Sequence, residues 1–272
     1  MIDNVFSFFK YDFVINALIV GLLVSLCAAV LGVSLVLKRY SMIGDGLSHI
    51  GFGASAVALA VGIAPIYFSI PTVIVAAFLL LRLKSSGKIK GDAATALLSS
   101  SALAIGYTAI KLSGGVNIDI NSYMFGSIYT VNKTDMIIAV CITVVVLLLY
   151  FCFYNKIFSV TFDEDFASAT GIKAERYNTL LACLTAVTVV IGMRLMGALL
   201  MSALIIFPVM TASRVCKSYK AVMLSASIVS VVGFVAGLLF SLALNTSPGS
   251  SIVIVNLFIF VVFAVMGKAL KK

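Results

Sequence analysis

Hydrophobic residues occur along this chain in long uninterrupted blocks. Apolar runs of about 20 residues, the length that an α-helix needs to cross a bilayer, are separated by short polar segments. The first run, residues 13–37, reads FVINALIVGLLVSLCAAVLGVSLVL. It is continuously apolar, whereas a lipid-facing barrel strand would alternate. The pattern therefore predicts an all-α, polytopic transmembrane helical bundle.

Nine apolar blocks are long enough to be considered as membrane spans. They are residues 13–37, 43–63, 66–83, 93–112, 136–154, 177–193, 196–213, 221–244 and 250–267. A short link at Pro65 separates two of them, and residues 177–213 fit either one long helix or two short ones. We therefore expect eight or nine spans in a single transmembrane domain covering residues 1–272.

Composition and charge support this picture. The chain is 62% hydrophobic and 11% charged, which is more apolar surface than a soluble protein of this length could bury in its core. Its net charge of +9 is explained by the placement of the basic residues relative to the membrane. Fifteen of the 19 basic residues fall in alternate connections: Lys38, Arg39, Arg82, Lys84, Lys88, Lys90, Lys156, Lys173, Arg176, Arg214, Lys217, Lys220, Lys268, Lys271 and Lys272. The positive-inside rule then predicts a cytoplasmic C-terminus and an N-terminus outside. No nucleic-acid partner is expected.

The second block carries an unusual pair of ionisable residues. Its start, MIGDGLSHIGFG at residues 42–53, holds Asp45 and the single histidine of the chain, His49. A spacing of four residues puts both side chains on one helix face. Ionisable groups inside a membrane segment usually face a bundle interior or a watery cavity, and carboxylate and imidazole both suit a divalent transition metal. The alternatives are an N-cap role for Asp45, a backbone hydrogen bond from His49, and a proton relay.

Two further segments are informative. In TFDEDFASATGIKAER, residues 161–176, Asp163, Glu164 and Asp165 fall where a helix would begin, and Gly171 fits its C-terminal end. A short cytoplasmic helix near 163–172 is predicted, which is either a solvated connector or a docking element. In ALIIFPVMTA, residues 203–212, Pro208 predicts a helix kink.

Several function classes are excluded or made improbable by missing motifs. The chain has no GxxxxGK[ST] phosphate-binding loop, so we do not expect it to hydrolyse ATP. It also lacks HExxH and GxSxG motifs, and a single histidine makes most hydrolytic sites difficult to build. We therefore do not expect an enzyme.

Four segments together resemble the permease subunits of bacterial ABC importers for zinc and manganese, the ZnuB-like metal permease family. They are GDGLSHIGFGASAVAL at 44–59, YMFGSIYTVNKTD at 123–135, DEDFASATGIKAERYN at 163–178 and MGALLMSALIIFPVMTA at 196–212. They occur in the family's order, and the resemblance extends from about residue 13 to about residue 267, nearly the whole chain. The first and last segments are the most specific.

The resemblance implies a homodimeric permease in the bacterial cell membrane, surrounded by lipid. It implies a cytoplasmic ABC ATPase subunit and an extracytoplasmic metal-binding protein as partners. Asp45 and His49 would bind the transported metal. Zinc is the favoured metal and manganese the alternative, and no cofactor would be bound permanently. The family's coupling helix falls on Asp163, Glu164, Asp165, Phe166, Ala167 and Gly171. The alternatives are an ATPase-independent cation channel or secondary transporter, and a purely structural membrane subunit.

Overall fold

The computed structural model describes residues 12–85, 91–113, 124–126 and 133–269. The long helices in these ranges are α1 (Asp12–Leu37), α2 (Ser41–Val61), α3 (Pro65–Ser85), α4 (Gly91–Leu112), α5 (Lys133–Cys152), α8 (Ala174–Met196), α9 (Ala198–Ala212), α10 (Tyr219–Leu244) and α11 (Pro248–Ala269). Two short helices, α6 (Tyr154–Phe162) and α7 (Glu164–Ala169), connect α5 to α8. No strand occurs in the described ranges, and the predicted all-α class is confirmed.

Part of the sequence prediction lies outside the described residues. This applies to five basic residues used in the topology argument, Lys10, Lys88, Lys90, Lys271 and Lys272, and to most of the predicted outer connection at 113–135.

The prediction of eight or nine spans is too high when the described helices are judged by their length and composition. Among the described helices, seven are long and apolar enough to cross a membrane: α1, α3, α4, α5, α8, α10 and α11. The other two predicted spans also form helices, but α2 is made more polar by Asp45, His49 and its serines. Helix α9 has 15 residues, so it is only about 22 Å long, short of the hydrocarbon thickness.

The segment 177–213 forms two helices that are separated at Gly197. This residue has a φ of 90° and a ψ of 152°, a backbone conformation that side-chain-bearing residues rarely adopt. A Cβ atom at this position would also lie 2.4 Å from the backbone nitrogen of Gly126. The break between α8 and α9 therefore requires glycine.

The core of the bundle is formed mainly by α1, α8 and α9. The apolar windows of α1 and α8 are 72% buried, whereas those of α3, α4, α5 and α11 are only 22% buried. The exposed positions on these outer helices are largely apolar, as expected for surfaces that face lipid or another apolar subunit. The chain is a multi-pass membrane protein.

Contacts between helix ends define two faces of the bundle. On one face, the end of α1, the short helix α7 and the start of α8 meet through Lys38, Glu164 and Asn178. We call this the basic face, because Lys38, Arg39, Lys156 and other predicted inner basic residues lie near it. On the opposite face, Asp135 at the start of α5 pairs with Arg194 at the end of α8, at 3.1 Å.

Candidate functional site

Asp45 and His49 lie on the one face of α2 that this chain leaves partly uncovered. Nε2 of His49 lies 3.7 Å from Oδ1 of Asp45, and the two side chains are 28% and 36% exposed. This distance is too long for a hydrogen bond, so the two side chains lie side by side without being bonded to each other. Most other residues of α2, including those directly beside the pair, are buried. The pair is therefore open to solvent or to a partner within an otherwise buried helix.

Small residues allow neighbouring helices to cover the remaining faces of α2. A Cβ atom at Gly44 would lie 2.9 Å from Cδ1 of Ile205 on α9, and one at Gly46 would lie 2.3 Å from Cγ2 of Thr95 on α4. At Gly51 the nearest atoms belong to Met193 on α8, at 3.3 Å. Close packing on these sides holds the helix in place and fixes the direction in which Asp45 and His49 point.

The structure bears on two alternatives for this pair. Helix α2 begins at Ser41, after Tyr40 at the N-cap position, so Asp45 lies inside the helix and does not cap it. Within the described residues, His49 makes no hydrogen bond to a backbone carbonyl, and its imidazole lies beside the carboxylate of Asp45. Both side chains are thus available to bind a ligand.

One chain supplies only two ligands at this position. No group of three or more histidine, cysteine, aspartate or glutamate side chains that could hold a metal occurs in the part of the chain that the structure describes. The nearby Ser48 hydroxyl donates to the carbonyl of Gly44, 3.0 Å away. A complete coordination shell, which is usually four ligands for zinc, would need water or a second protein surface.

The acidic segment forms the short helix α7 with well-defined ends. Oδ1 of Asp163 accepts a hydrogen bond from the backbone nitrogen of Phe166 at 2.9 Å, and so caps the first turn. At the other end, Gly171 has a φ of 87°, and the backbone nitrogen of Ile172 donates to the carbonyl of Ala167 at 2.9 Å. This is the left-handed glycine termination that commonly stops a helix.

The side chains of α7 point in two directions. Asp165 and Phe166 are exposed, Phe166 by 64%, whereas Ala167 is buried against Val160 and Ala174. Glu164 turns toward the bundle, where its Oε1 lies 2.6 Å from Nζ of Lys38. One side of α7 is therefore exposed, while the other is attached to the long helices of the bundle.

The contact between Glu164 and Lys38 was not predicted from the sequence. The charge pattern of the sequence places Lys38 in one of the inner connections between spans; the structure shows that its side chain is only 4% exposed. Burial lowers the pKa of Lys38, and the hydrogen bond and charge of Glu164 oppose this effect. No local sequence pattern identifies this pair, because Lys38 and Glu164 are far apart in the chain.

Pro208 lies within α9 and is buried. The interruption of the segment 177–213 falls eleven residues earlier, at Gly197. A kink at Pro208 stays a prediction.

Comparison with known proteins identifies the family. The ABC 3 transport family matches residues 10–267, nearly the whole chain. The chain belongs to this family. Relatives of the chain include the high-affinity zinc uptake system membrane protein ZnuB of Haemophilus influenzae, which is 28% identical over 92% of this chain and 96% of its own length. The manganese import system permease protein ScaB of Streptococcus gordonii is 31% identical over 93% of this chain and 90% of its own length.

A solved structure agrees with this assignment. PsaBC from Streptococcus pneumoniae in complex with Fab matches with a TM-score of 0.86 and 30% identity, covering 97% of this chain and 95% of that chain. The resemblance to metal ABC permeases that the sequence motifs indicated is confirmed. As a member of the ABC 3 family, the chain is a transport permease subunit and not a catalytic enzyme.

Proposed function

We propose that this chain is the permease subunit of an ATP-binding-cassette importer for divalent metal ions. Zinc is the favoured substrate, and manganese is the alternative. The observation that carries the proposal is the pair Asp45 and His49, a carboxylate and an imidazole partly exposed on an otherwise buried helix. The names of the zinc and manganese relatives support the same substrate class.

The two-ligand pair favours a homodimer. If a second copy faced the first across a twofold axis, two aspartates and two histidines would meet at the interface. Zn²⁺ accepts four such ligands, whereas Mn²⁺ prefers additional oxygen ligands or water. A site shared between two copies would release its metal when the copies move apart. This suits a transporter, which must not hold its substrate permanently.

Helix α7 is the proposed contact for a cytoplasmic ABC ATPase subunit. Its capped ends, formed by Asp163 and Gly171, hold a defined six-residue shape, and exposed Asp165 and Phe166 offer a charged and an aromatic contact. Glu164 and Ala167 attach the same helix to the bundle. Charge reversal at Asp165 should weaken copurification of the ATPase and leave membrane insertion intact.

This proposal orients the protein in the bacterial plasma membrane. The basic face, with α7, lies in the cytoplasm, as the positive-inside rule expects. The N-terminus is then outside and the C-terminus inside. An extracytoplasmic metal-binding protein would deliver metal at the opposite face, where Asp135 and Arg194 lie.

Transport in proteoliposomes tests the proposal against an ATPase-independent cation channel or secondary transporter. The chain is reconstituted with its ATPase and metal-binding protein, and uptake of radioactive zinc is followed with and without ATP. We expect uptake only with ATP and the ATPase. Uptake by the purified chain alone, driven by an ion gradient, would contradict the importer.

Variants at the pair assign the site. His49→Ala and Asp45→Ala should abolish uptake because each removes a ligand. Val57→Ala, a truncation on the same helix at a half-buried position, serves as the matched control and should retain uptake. Normal uptake by both ligand variants would place the metal path elsewhere.

A further inference from the structure

A buried lysine joins three elements of the basic face. Lys38 lies between α1 and α2, and its ammonium contacts Oε1 of Glu164 on α7, at 2.6 Å, and Oδ1 of Asn178 on α8. Nδ2 of Asn178 in turn donates to Oε1 of Glu164 at 3.1 Å. The ring of Tyr40 lies 5.5 Å from the ammonium. We call Lys38, Glu164 and Asn178 the corner node.

The corner node differs from an ordinary surface ion pair in its burial. The Lys38 side chain is only 4% exposed, although Glu164 is 44% exposed. Exposed ion pairs contribute little, whereas a buried charge is held firmly to its partner because leaving it unpaired is costly. If α7 moves, breaking the ion pair would leave the Lys38 charge buried and unpaired. Lys38 is therefore expected to move together with Glu164.

The backbone next to Lys38 is a tight corner that leads directly into α2. The backbone nitrogen of Tyr40 donates to the carbonyl of Leu35 at 2.7 Å, and Arg39 adopts a φ of 59°, which is uncommon for a residue with a side chain. Helix α2 begins at Ser41, directly after Tyr40. Asp45 follows one turn later, about 6 Å along the helix axis. A displacement of Lys38 thus reaches the ligand pair through a short and closely bonded stretch of backbone.

The surroundings leave room for such a displacement. A cavity of about 690 Å³ opens on the basic face, and its wall includes Tyr40, Glu164, Glu175 and Asn178. The node forms part of a cavity wall and is not enclosed by packed side chains on every side. On the side of Glu164, α7 therefore faces open space and not a close-packed core, while Ala167 keeps its packed contact on the other side.

We propose that the corner node is the connection through which movement of α7 reaches Asp45 and His49. Glu164 acts as a positioning residue: it does not contact the metal or the ATPase, but pulls the corner between α1 and α2 when the ATPase moves α7. This inference rests on the proposed function, since it assigns the path by which ATP hydrolysis changes the metal site.

The coupling ratio, metal transported per ATP hydrolysed, tests the proposal. In the reconstituted complex, Glu164→Gln keeps the shape of the side chain and removes its charge. We expect ATPase binding and ATP hydrolysis to persist while the coupling ratio falls about tenfold, within the usual range of allosteric coupling. Glu175→Gln, the same chemical change in the wall of the same cavity but outside the node, should leave the ratio unchanged.

A second variant addresses the case in which Glu164→Gln fails to fold, because a buried ammonium without a carboxylate destabilises the protein. The double replacement Lys38→Met with Glu164→Met removes both charges and leaves neither unpaired, which proteins often tolerate well. It should fold, bind the ATPase and hydrolyse ATP, but show the same loss of coupling.

The outcomes separate this inference from the proposed function. A normal coupling ratio in either Glu164→Gln or the double variant would overturn the role of the corner node while leaving the importer intact. Failure of the unmutated complex to transport metal with ATP would overturn the importer itself. Loss of ATPase binding in the double variant would also overturn the inference, because the node would then be shaping the docking surface.

Discussion

Replacing Gly53 by alanine tests the close packing that positions α2 against α4. A Cβ atom at Gly53 would lie 2.3 Å from the carbonyl oxygen of Ala102, and the Cα of Gly53 itself lies 2.7 Å from where a Cβ on Gly106 would be. These atoms belong to backbone and cannot rotate away, so the two helices must separate. Overpacking of this kind costs about 1–3 kcal/mol.

Gly51→Ala is the matched control for this change. It lies two residues away on the same helix, and its new Cβ would meet side chains and no backbone: the flexible end of Met193 at 3.3 Å and Cγ2 of Val73 at 3.5 Å, an ordinary van der Waals contact. Both substitutions gain about 1 kcal/mol of helix propensity. The two variants should therefore differ by about 2 kcal/mol in stability, or about 4–8 °C in apparent Tm.

Thermal unfolding in detergent, followed by metal uptake in proteoliposomes, measures both consequences. Gly53→Ala should unfold at the lower temperature and lose uptake, since His49 lies one turn before the displaced position. Gly51→Ala should unfold at or above the temperature of the unmutated chain. Equal apparent Tm values for the two variants would refute the reasoning that backbone contact between α2 and α4 fixes the ligand helix.

Three further predictions concern the helix ends. Asp163→Ala removes the cap of α7 and should weaken ATPase binding by about 1 kcal/mol in a titration, whereas Asp163→Ser should retain it. Asp135→Asn and Arg194→Gln should show a coupling energy of about 0.5–2 kcal/mol in a double-mutant cycle of unfolding, and additive effects would mean that the pair does not interact. Gly197→Ala should destabilise the protein by about 2 kcal/mol or more in the same assay through its backbone conformation and its contact with Gly126, and an unchanged Tm would contradict this.

Much of the fold was predictable because long helices in a membrane leave a strong local signal. The run at residues 13–37 and the helix Asp12–Leu37 differ by one residue at one end. The shared helix face of Asp45 and His49 was likewise predictable from local sequence, since residues four apart in a helix lie one turn from each other on the same face. The helix end at Gly171 was also readable, because glycine is favoured where φ is positive.

Features that depend on distant contacts were not predictable. The sequence places Lys38 in an inner connection between spans, and only the folded bundle brings Glu164 and Asn178 to it. The number of spans was misjudged for a related reason. A hydrophobic run shows that α2 and α9 are helices, but the polar residues of one and the short length of the other take them below the usual requirement for spanning.

Metal content and ligand identity of the purified complex test the central claim most directly. After exposure to zinc and removal of excess metal, elemental analysis would count metal ions per chain, and X-ray absorption would identify their ligands. The proposed site predicts one zinc ion for every two chains, with imidazole nitrogen among its ligands, and loss of this zinc in His49→Ala. Retention of the same zinc content and the same spectrum in His49→Ala would contradict the claim that Asp45 and His49 bind the transported metal.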